Sequence, residues 1–198
     1  MKIKICGLTR YEDIDCVNRL RPDFCGFVFA PGSRRFLERE RARELKQRLS
    51  PAIRAAGVFV NAEPEEAARL YREGIIDLIQ LHGREDEQYI KSLRKMADCP
   101  VIQAFSVRTS EDLRRAEESS ADLILLDHGA GGTGQAFDWK LLADFRRPFL
   151  LAGGISPANV EEACALNPWG LDMSSGVETD GVKDPLKIET CIRRIRNV

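Results

Sequence analysis

Short apolar runs rich in Val, Ile, Leu and Phe recur along the chain at intervals of roughly 21 to 29 residues, about the length of a strand plus a returning helix. These runs predict eight strands, at residues 2–5, 24–29, 53–60, 78–81, 101–105, 123–126, 149–152 and 170–173. The stretches between them have a helical period. In the last one, Ile188, Cys191, Ile192 and Ile195 follow the i, i+3, i+4, i+7 rule. The pattern predicts an α/β protein with a parallel sheet.

Helix starts are marked by capping residues as well as by period. Thr9 followed by Glu12 predicts a capping box at the first helix. Ser156 and Asp184 each precede a proline, which predicts a helix with a capping oxygen and proline at its first position.

Eight successive β-then-α units without an obvious linker favour closure into a (β/α)8 TIM barrel. At 198 residues the barrel is close to minimal length, so we expect a single domain over residues 1–198. The structural alternative is an open, doubly wound sheet, which the same alternation permits. The number of units and the phosphate signature below favour the barrel.

Charge and composition exclude several classes of protein. Lys and Arg total 30 and Asp and Glu total 31, for a net charge of −1, whereas binding to a nucleic-acid backbone needs a basic excess. No apolar run reaches the roughly 18 residues of a membrane span, and no signal peptide is evident, so we expect a cytoplasmic protein. The six cysteines form no CxxC pair and the chain has two histidines, which argues against a zinc site.

In a barrel the chemistry lies where strands end and βα loops begin. After the seventh predicted strand, Gly153 and Gly154 allow backbone N–H groups to approach a ligand closely. After the eighth, Ser174, Ser175 and Gly176 can start a short helix whose N–H groups attract a phosphate dianion. Phosphate sites of this fold are built from these two loops, although the glycines could also be simple turn residues.

Three further strand ends carry candidate chemistry. Cys6 ends the first strand, where a thiol can serve as a general base; Lys4 has the same strand parity and could favour the thiolate. Asp127 closes an apolar run, and a dry barrel rim favours a protonated carboxyl group, which suits a general acid. Arg34 and Arg35 follow the second strand and could hold a carboxylate. The structural alternatives are a core cysteine, a helix cap and solvated surface charge.

A glycine-rich segment and the two histidines are not assigned a role in binding or catalysis. Residues 129–134 satisfy GxGxxG, but no apolar-periodic helix follows and no acidic residue lies about 20 residues on, so we interpret them as a mobile loop rather than a dinucleotide site. His82 lies at another strand end and is expected to be structural, and His128 is expected to be an exposed loop residue.

The residues at these strand ends resemble those of the phosphoribosylanthranilate isomerase family of tryptophan biosynthesis, whose members are (β/α)8 barrels. The resemblance spans nearly the whole chain. It rests on KICGLT at residues 4–9, GFVF at 26–29 with SRR at 33–35, GVFVN at 57–61, QLHG at 80–83, LLD at 125–127, GTG at 132–134 with FDW at 137–139, LAGGI at 151–155 and DMSSGVE at 172–178 with KD at 183–184.

The resemblance implies an Amadori rearrangement of N-(5-phosphoribosyl)anthranilate to 1-(2-carboxyphenylamino)-1-deoxyribulose 5-phosphate, with no metal or organic cofactor. By similarity Asp127 would be the general acid, Cys6 the general base, and Arg35 the ligand of the anthranilate carboxylate. Asp172 would help to arrange the site. The residues that would cradle the phosphate are Gly154, Ser174, Ser175 and Gly176. The expected partner is this phosphorylated sugar, bound by a monomer or a homodimer.

Two rival functions remain open. The histidine-pathway aminoimidazole carboxamide ribotide isomerase runs similar chemistry, but it resembles two fused half-barrels with an Asp at the end of the first strand and two phosphate sites. Here that position holds Cys6, and one phosphate clamp is visible. A barrel kept as a ligand-binding or subunit-contact module is the non-enzyme alternative, and the presence of both Cys6 and Asp127 argues against it.

Overall fold

The computed structural model of the chain describes residues 1–127 and 139–197. Its strands are β1 (Lys2–Cys6), β2 (Phe24–Val28), β3 (Arg54–Phe59), β4 (Leu78–Leu81), β5 (Val101–Ser106), β6 (Leu123–Asp127), β7 (Phe149–Leu151), β8 (Gly170–Met173), β9 (Glu178–Thr179) and β10 (Val182–Lys183). Its α-helices are α1 (Tyr11–Leu20), α2 (Arg39–Arg48), α3 (Pro64–Arg72), α4 (Glu87–Met96), α5 (Ser110–Glu118), α6 (Val160–Ala165) and α7 (Pro185–Asn197). Two 3-10 helices span Trp139–Asp144 and Ser175–Val177.

Strands β1 to β8 pair in parallel, each with its neighbour in sequence, and form a closed barrel. Closure comes from β1, in which Lys4 is in register with Phe24 of β2 on one side and with Asp172 of β8 on the other. The (β/α)8 prediction is therefore confirmed, and the open-sheet alternative is wrong. Every one of the eight predicted strands is present, with its ends within one residue of the prediction.

The barrel strands are buried on both faces, as parallel strands covered by helices must be. Outward-facing side chains such as Ile5, Phe27 and Ile79 form the main core beneath the helices. Alternate positions face the barrel interior and fill it in layers. One interior cluster consists of Phe24, Ala56, Leu78, Ile102, Leu125, Leu150 and Ala152. A second consists of Cys6, Val28, Ala30 and Val58. Cys6 thus faces the interior, as its parity with Lys4 predicts.

The predicted helix starts have mixed outcomes. Helix α1 begins at Tyr11, and Asp13, rather than Glu12, accepts hydrogen bonds from the backbone N–H groups of Thr9 and Arg10. The predicted Thr9–Glu12 capping box is therefore wrong by one residue, because Asp13 is the acid that the helix turns back towards these N–H groups. At the last helix the prediction is confirmed: Asp184 caps α7 by accepting from the N–H of Leu186 at 2.9 Å.

After β7 the chain does not enter a helix at once. Backbone bonds from Asn159 and Val160 to the carbonyl of Ser156 form a turn, and α6 begins at Val160. The prediction of a helix starting at Ser156 is therefore wrong by a few residues. In the part of the chain that the structure describes, no helix is long and apolar enough to cross a membrane.

Candidate active site

A cavity of about 560 Å³ opens at the carboxyl ends of the barrel strands. Most of the residues singled out in the sequence line it, although they come from distant parts of the chain. The lining includes Cys6, Arg34, Arg35, Gln80, His82, Asp127, Gly153, Gly154, Asp172, Ser174 and Ser175. Parallel strands bring their carboxyl ends to one rim, which is why positions scattered over most of the sequence meet here.

The wall formed by β1 and β8 contains a buried ion pair. The Lys4 ammonium lies 2.8 Å from Oδ2 of Asp172, and both side chains are almost completely excluded from solvent. Burial is the largest single effect and lowers the pKa of Lys4, but the charges and hydrogen bonds of Asp172 and Cys6 together outweigh it, so this pKa is raised and Lys4 stays charged. Oδ1 of Asp172 is buried and has no hydrogen-bond partner in the described residues. Asp172 is also one of the residues that line the cavity.

Burial raises the pKa of the Cys6 thiol above its ordinary value of 9.0, and the Asp172 carboxylate adds to the rise. The Lys4 ammonium, by its charge and a hydrogen bond, lowers this pKa, as does Lys183. Lys4 therefore favours the thiolate, as expected, but desolvation of the thiolate opposes it and is the larger effect. Without a ligand the thiol is therefore protonated.

A glycine on the neighbouring strand makes room for this thiol. Gly26 is in register with Cys6, and a Cβ atom at Gly26 would lie 2.5 Å from Sγ of Cys6. No real Cβ approaches so closely, so any larger residue at Gly26 displaces the sulfur. The glycine in the GFVF segment therefore has a direct role in placing the candidate base.

The two loops proposed to hold phosphate touch each other. Gly153 and Gly154 have φ values of 93° and 66°, a region that favours glycine. A Cβ at Gly176 would lie 2.1 Å from the carbonyl oxygen of Ile155, so the turn after β8 packs directly on the turn after β7. The short helix expected after Ser174 is present as the 3-10 helix Ser175–Val177. These loops are close enough to act on one anion.

A buried carboxylate, Glu178, orients Arg35, the residue expected to bind the anthranilate carboxylate. Glu178 of β9 accepts from Nε and Nη2 of Arg35 at 2.7 and 2.9 Å, from Arg34 at 2.6 Å and from Lys183 at 2.5 Å. Burial raises the pKa of Glu178, but Arg35 and Lys183 outweigh it, so this pKa is lowered and the group stays ionised. In the described part of the chain Nη1 of Arg35 makes no hydrogen bond. Glu178 thus holds one edge of the guanidinium and turns the other away from itself.

Asp127 stands at the end of β6, on the far side of the cavity from Cys6, and is 6% exposed. Its Oδ2 atom lies 3.4 Å from Nε2 of His82, which belongs to the segment following β4. The expectations for His128 and for the glycine-rich loop at 129–134 fall outside the described residues.

Comparison with known proteins decides the family. The family profile described as "PRAI: N-(5'phosphoribosyl)anthranilate (PRA) isomerase" matches residues 3–194. The chain belongs to this isomerase family. A relative from Endomicrobium trichonymphae, named N-(5'-phosphoribosyl)anthranilate isomerase, is 44% identical over 202 residues, which cover 100% of this chain and 99% of the relative. The family assignment confirms the resemblance and argues against the histidine-pathway alternative.

Two solved structures of the family match this chain over its whole length. One is titled as phosphoribosyl anthranilate isomerase in complex with reduced 1-(o-carboxyphenylamino)-1-deoxyribulose 5-phosphate; it has 34% identity and a TM-score of 0.89, with 100% of both chains covered. The other is titled as monomers of the dimeric enzyme from Thermotoga maritima, with 33% identity, a TM-score of 0.89 and the same coverage. The isomerase family thus includes ligand-bound, dimeric and monomeric forms.

Several site residues were missed from the sequence. Glu178, Lys183, Gly26 and Gln80 all occur within the segments that carry the family resemblance, yet none was given a role. Glu178 and Lys183 lie on the β9–β10 hairpin, which was not predicted. Glu178 and Lys183 follow the phosphate loop closely in the sequence, and this spacing could have indicated their ion pair, since a charged group that is buried needs a partner.

Proposed function

We propose that this chain converts N-(5-phosphoribosyl)anthranilate to 1-(2-carboxyphenylamino)-1-deoxyribulose 5-phosphate, a step of tryptophan biosynthesis. One observation carries the assignment of roles: a buried thiol and a buried carboxyl group, Cys6 and Asp127, line one cavity from separate walls. The relative solved with a reduced form of this product supports the substrate class. Acid and base catalysis suffices for an aldose-to-ketose rearrangement.

Asp127 begins the reaction as the general acid. Its O–H bond breaks as the proton passes to the furanose ring oxygen, and the bond from C1′ to that oxygen breaks. The lone pair of the anthranilate nitrogen then forms the C=N bond of an iminium ion. This step leaves a carboxylate on Asp127 and a positive charge on the substrate.

Cys6 acts next, as the base that removes the proton from C2′. The electrons of the C2′–H bond form a C1′–C2′ double bond, and those of the C=N bond return to nitrogen. The resulting enol then tautomerises to the ketone: C1′ takes up the proton from Cys6 and the enol O–H gives its proton to Asp127, which restores the thiolate and the carboxylic acid. A base must be the thiolate, and burial disfavours that form, so positive charge close to the sulfur is required. Lys4 supplies it, since its pKa is raised, and Lys183 contributes although burial lowers its pKa. The iminium ion supplies more when it forms.

The two ends of the substrate are held by different loops. The open edge of Arg35 binds the anthranilate carboxylate, because a guanidinium edge matches a carboxylate in geometry. The backbone N–H groups of Gly154, Ser174 and Ser175 bind the phosphate, and Gly176 keeps their two loops in contact. Asp172 offers its unpaired Oδ1 to a hydroxyl group of the sugar.

The state of assembly and the compartment remain expectations. The Thermotoga maritima relative is described as a dimeric enzyme from which monomers were generated, and a monomer or a homodimer is expected for this chain, in the cytoplasm.

Turnover is tested directly by fluorescence. Phosphoribosylanthranilate is generated in the cuvette from anthranilate by the preceding enzyme, and its fluorescence is followed after this protein is added. Steady decay at catalytic protein concentration supports the isomerase. A change stoichiometric with protein, without turnover, would instead support the binding module.

The role of Cys6 is tested with Cys6→Ser, because a hydroxyl group ionises far less readily than a thiol and so cannot supply the anionic base. We expect kcat to fall by about 10²- to 10⁴-fold, while the reduced product still binds because its phosphate and carboxylate contacts remain. The matched control is Cys25→Ala, which removes a buried thiol on β2 that does not line the cavity. A near-normal rate in Cys6→Ser refutes the assignment.

A further inference from the structure

Behind Asp127 stands a chain of two polar side chains from the end of β4. Gln80 and His82 are two residues apart in an extended segment, so both side chains face the barrel interior. Nε2 of Gln80 lies 3.0 Å from Nδ1 of His82, and Nε2 of His82 lies 3.4 Å from Oδ2 of Asp127. The backbone N–H of His82 donates to the carbonyl of Phe59 at 2.8 Å, which anchors the residue at the barrel rim.

The first contact has one possible direction. An amide nitrogen donates hydrogen bonds and cannot accept them, so Nδ1 of His82 is the acceptor. A neutral imidazole then carries its proton on Nε2, the nitrogen that faces Asp127. Gln80 therefore selects the tautomer in which His82 presents an N–H group to the carboxyl oxygen of Asp127.

The strand between them leaves room for this contact. β5 separates β4 from β6 in the barrel, and its inward-facing residue at this level, Ala104, is small and packs against the interior cluster that contains Ile102 and Leu125. The imidazole can therefore reach across β5 to Asp127. Both residues line the cavity, and the side chain of His82 is 22% exposed whereas Gln80 is 1% exposed.

Stability alone does not account for a glutamine at this position. Its Oε1 atom is buried and has no hydrogen-bond partner among the described residues. A buried polar atom without a partner costs about 1 to 3 kcal/mol, which an apolar side chain of similar size at this position would not. A residue that is costly to the fold and linked to the candidate acid through one hydrogen bond has the features of a functional residue.

We infer that Gln80 and His82 are positioning residues for the proton donor. Gln80 holds the imidazole as the Nε2–H tautomer, and that N–H orients the Asp127 carboxyl group and stabilises the carboxylate that remains after the ring oxygen is protonated. His82 keeps its own proton throughout. This inference rests on the proposed function, in which Asp127 is the general acid.

The kinetic test uses His82→Leu and His82→Gln, after the wild-type protein has shown turnover; failure of that first measurement would count against the proposed function and not against this inference. In His82→Leu, kcat should fall by about 10- to 100-fold, with KM within about threefold because the phosphate and carboxylate contacts are untouched. His82→Gln can place an amide N–H near the Nε2 position and should recover part of kcat. An unchanged kcat in His82→Leu, or no rescue by His82→Gln, overturns the inference.

A second pair of variants separates function from folding. Gln80→Met removes the orphaned oxygen together with the amide, so the unfolding midpoint in urea should stay or rise while kcat falls. Gln103→Met is the matched control: Gln103 is also a buried strand glutamine, but it donates to the carbonyl of Glu85 at 2.8 Å and accepts from Ser119, away from the cavity. It should lose stability and keep kcat. If Gln80→Met instead loses stability and keeps its kcat, the role of Gln80 is structural only.

The tautomer itself is read by ¹⁵N NMR of histidine-labelled protein. The chain has two histidines, so His128→Gln assigns both signals. The Nδ1 of His82 should resonate as an unprotonated nitrogen and Nε2 as a protonated one, and Gln80→Met should mix the two tautomers. A wild-type ring protonated on Nδ1, or a Gln80→Met spectrum identical to that of the wild type, overturns the role of Gln80.

Discussion

The two walls of the cavity hold their catalytic groups by different physical means. On the wall formed by β1 and β8, Cys6 stands beside a buried ion pair, Lys4 with Asp172. On the wall formed by β4 and β6, Asp127 stands at the end of a chain of hydrogen bonds through His82 and Gln80. One wall uses full charges in a dry environment, and the other uses oriented dipoles.

The difference follows from what each group must do. A base needs its anionic form to become accessible, and burial opposes this, so fixed positive charge must stand close by. A proton donor needs a defined direction and a stabilised product carboxylate, which a single oriented N–H group can provide. The comparison predicts that variants on the β1 wall affect stability and activity together, while variants on the β4 wall affect activity alone.

Asp127→Asn should produce the largest effect, because an amide cannot donate the proton that opens the ring. We expect kcat to fall by about 10²- to 10⁴-fold with little change in KM. Asp122→Asn, just before the opposite end of β6, is the control: it accepts from the backbone N–H of Val101 at 2.8 Å, which an asparagine can also do. If Asp127→Asn keeps most of its kcat, the general acid lies elsewhere.

The buried ion pair is tested by two lysines of one strand. Lys4→Met strands a buried carboxylate on Asp172 and should lower the free energy of unfolding by about 3 to 5 kcal/mol. Lys2 pairs with Asp23 at nearly the same distance, 2.7 Å, but its side chain is 49% exposed, and Lys2→Met should cost about 0 to 1 kcal/mol. Urea unfolding measures both. Equal losses would show that burial does not distinguish the pairs.

A double variant sharpens this test. Replacing both partners, Lys4→Met with Asp172→Leu, removes the stranded charge and should restore much of the lost stability. Activity should stay low, since Cys6 has then lost its nearest cation. Recovery of activity together with stability would mean that the ion pair serves the fold alone.

The position of the thiol is tested by Gly26→Ala, because the new Cβ would displace Sγ of Cys6. We expect at least a tenfold loss of kcat in folded protein, since a misplacement of about 1 Å costs up to about 10²-fold. Gly57→Ala on β3 is the matched control. Its new Cβ would lie 2.6 Å from the side chain of Ile76, a clash nearly as close as the one at Gly26 but away from the cavity. It should lower stability and spare kcat. Similar kinetics in the two variants would contradict the role of Gly26.

The last test concerns a thiol without a catalytic role, whose effect is small near neutral pH and appears only in alkali. Burial raises the pKa of Cys25 from 9.0 to about 12, so the folded chain holds this proton more tightly than the unfolded chain does. Its contribution to stability is complete below pH 9 and is lost as the pH rises from 9 to 12, at about 1.4 kcal/mol per pH unit. Cys25→Ala should show a shallower alkaline decline in urea unfolding. Parallel curves for the two proteins would contradict this.

Much of the fold was predictable because it depends on local pattern. Apolar runs such as those around Phe27 and Ile79 predict strands within one residue, since a doubly buried parallel strand must be apolar at nearly every position. The start of α1 was less predictable. Glu12 and Asp13 are adjacent acids, and the direction in which the helix turns decides which of them reaches the free N–H groups.

The candidate site was predictable in its members but not in their partnerships. Cys6, Asp127 and the loop residues follow from their place at strand ends, because every strand of a barrel ends at one rim. The hold of Glu178 on Arg35 joins residues more than 140 positions apart, and no local rule connects them. Whether the pKa of Cys6 is raised or lowered also depended on the tertiary structure, because burial of the thiol outweighs the charge of Lys4.

The amino-acid sequence by itself determined the alternation of strands and helices, the rim at which the chemistry lies and the residue types available there, because these depend on periodicity and position along the chain. The tertiary structure alone decided which groups are dry, which charges stand side by side and in which direction each hydrogen bond runs. Those properties depend on distances between residues that folding brings together, and it is such distances that decide whether a thiol keeps its proton and where a carboxyl group points.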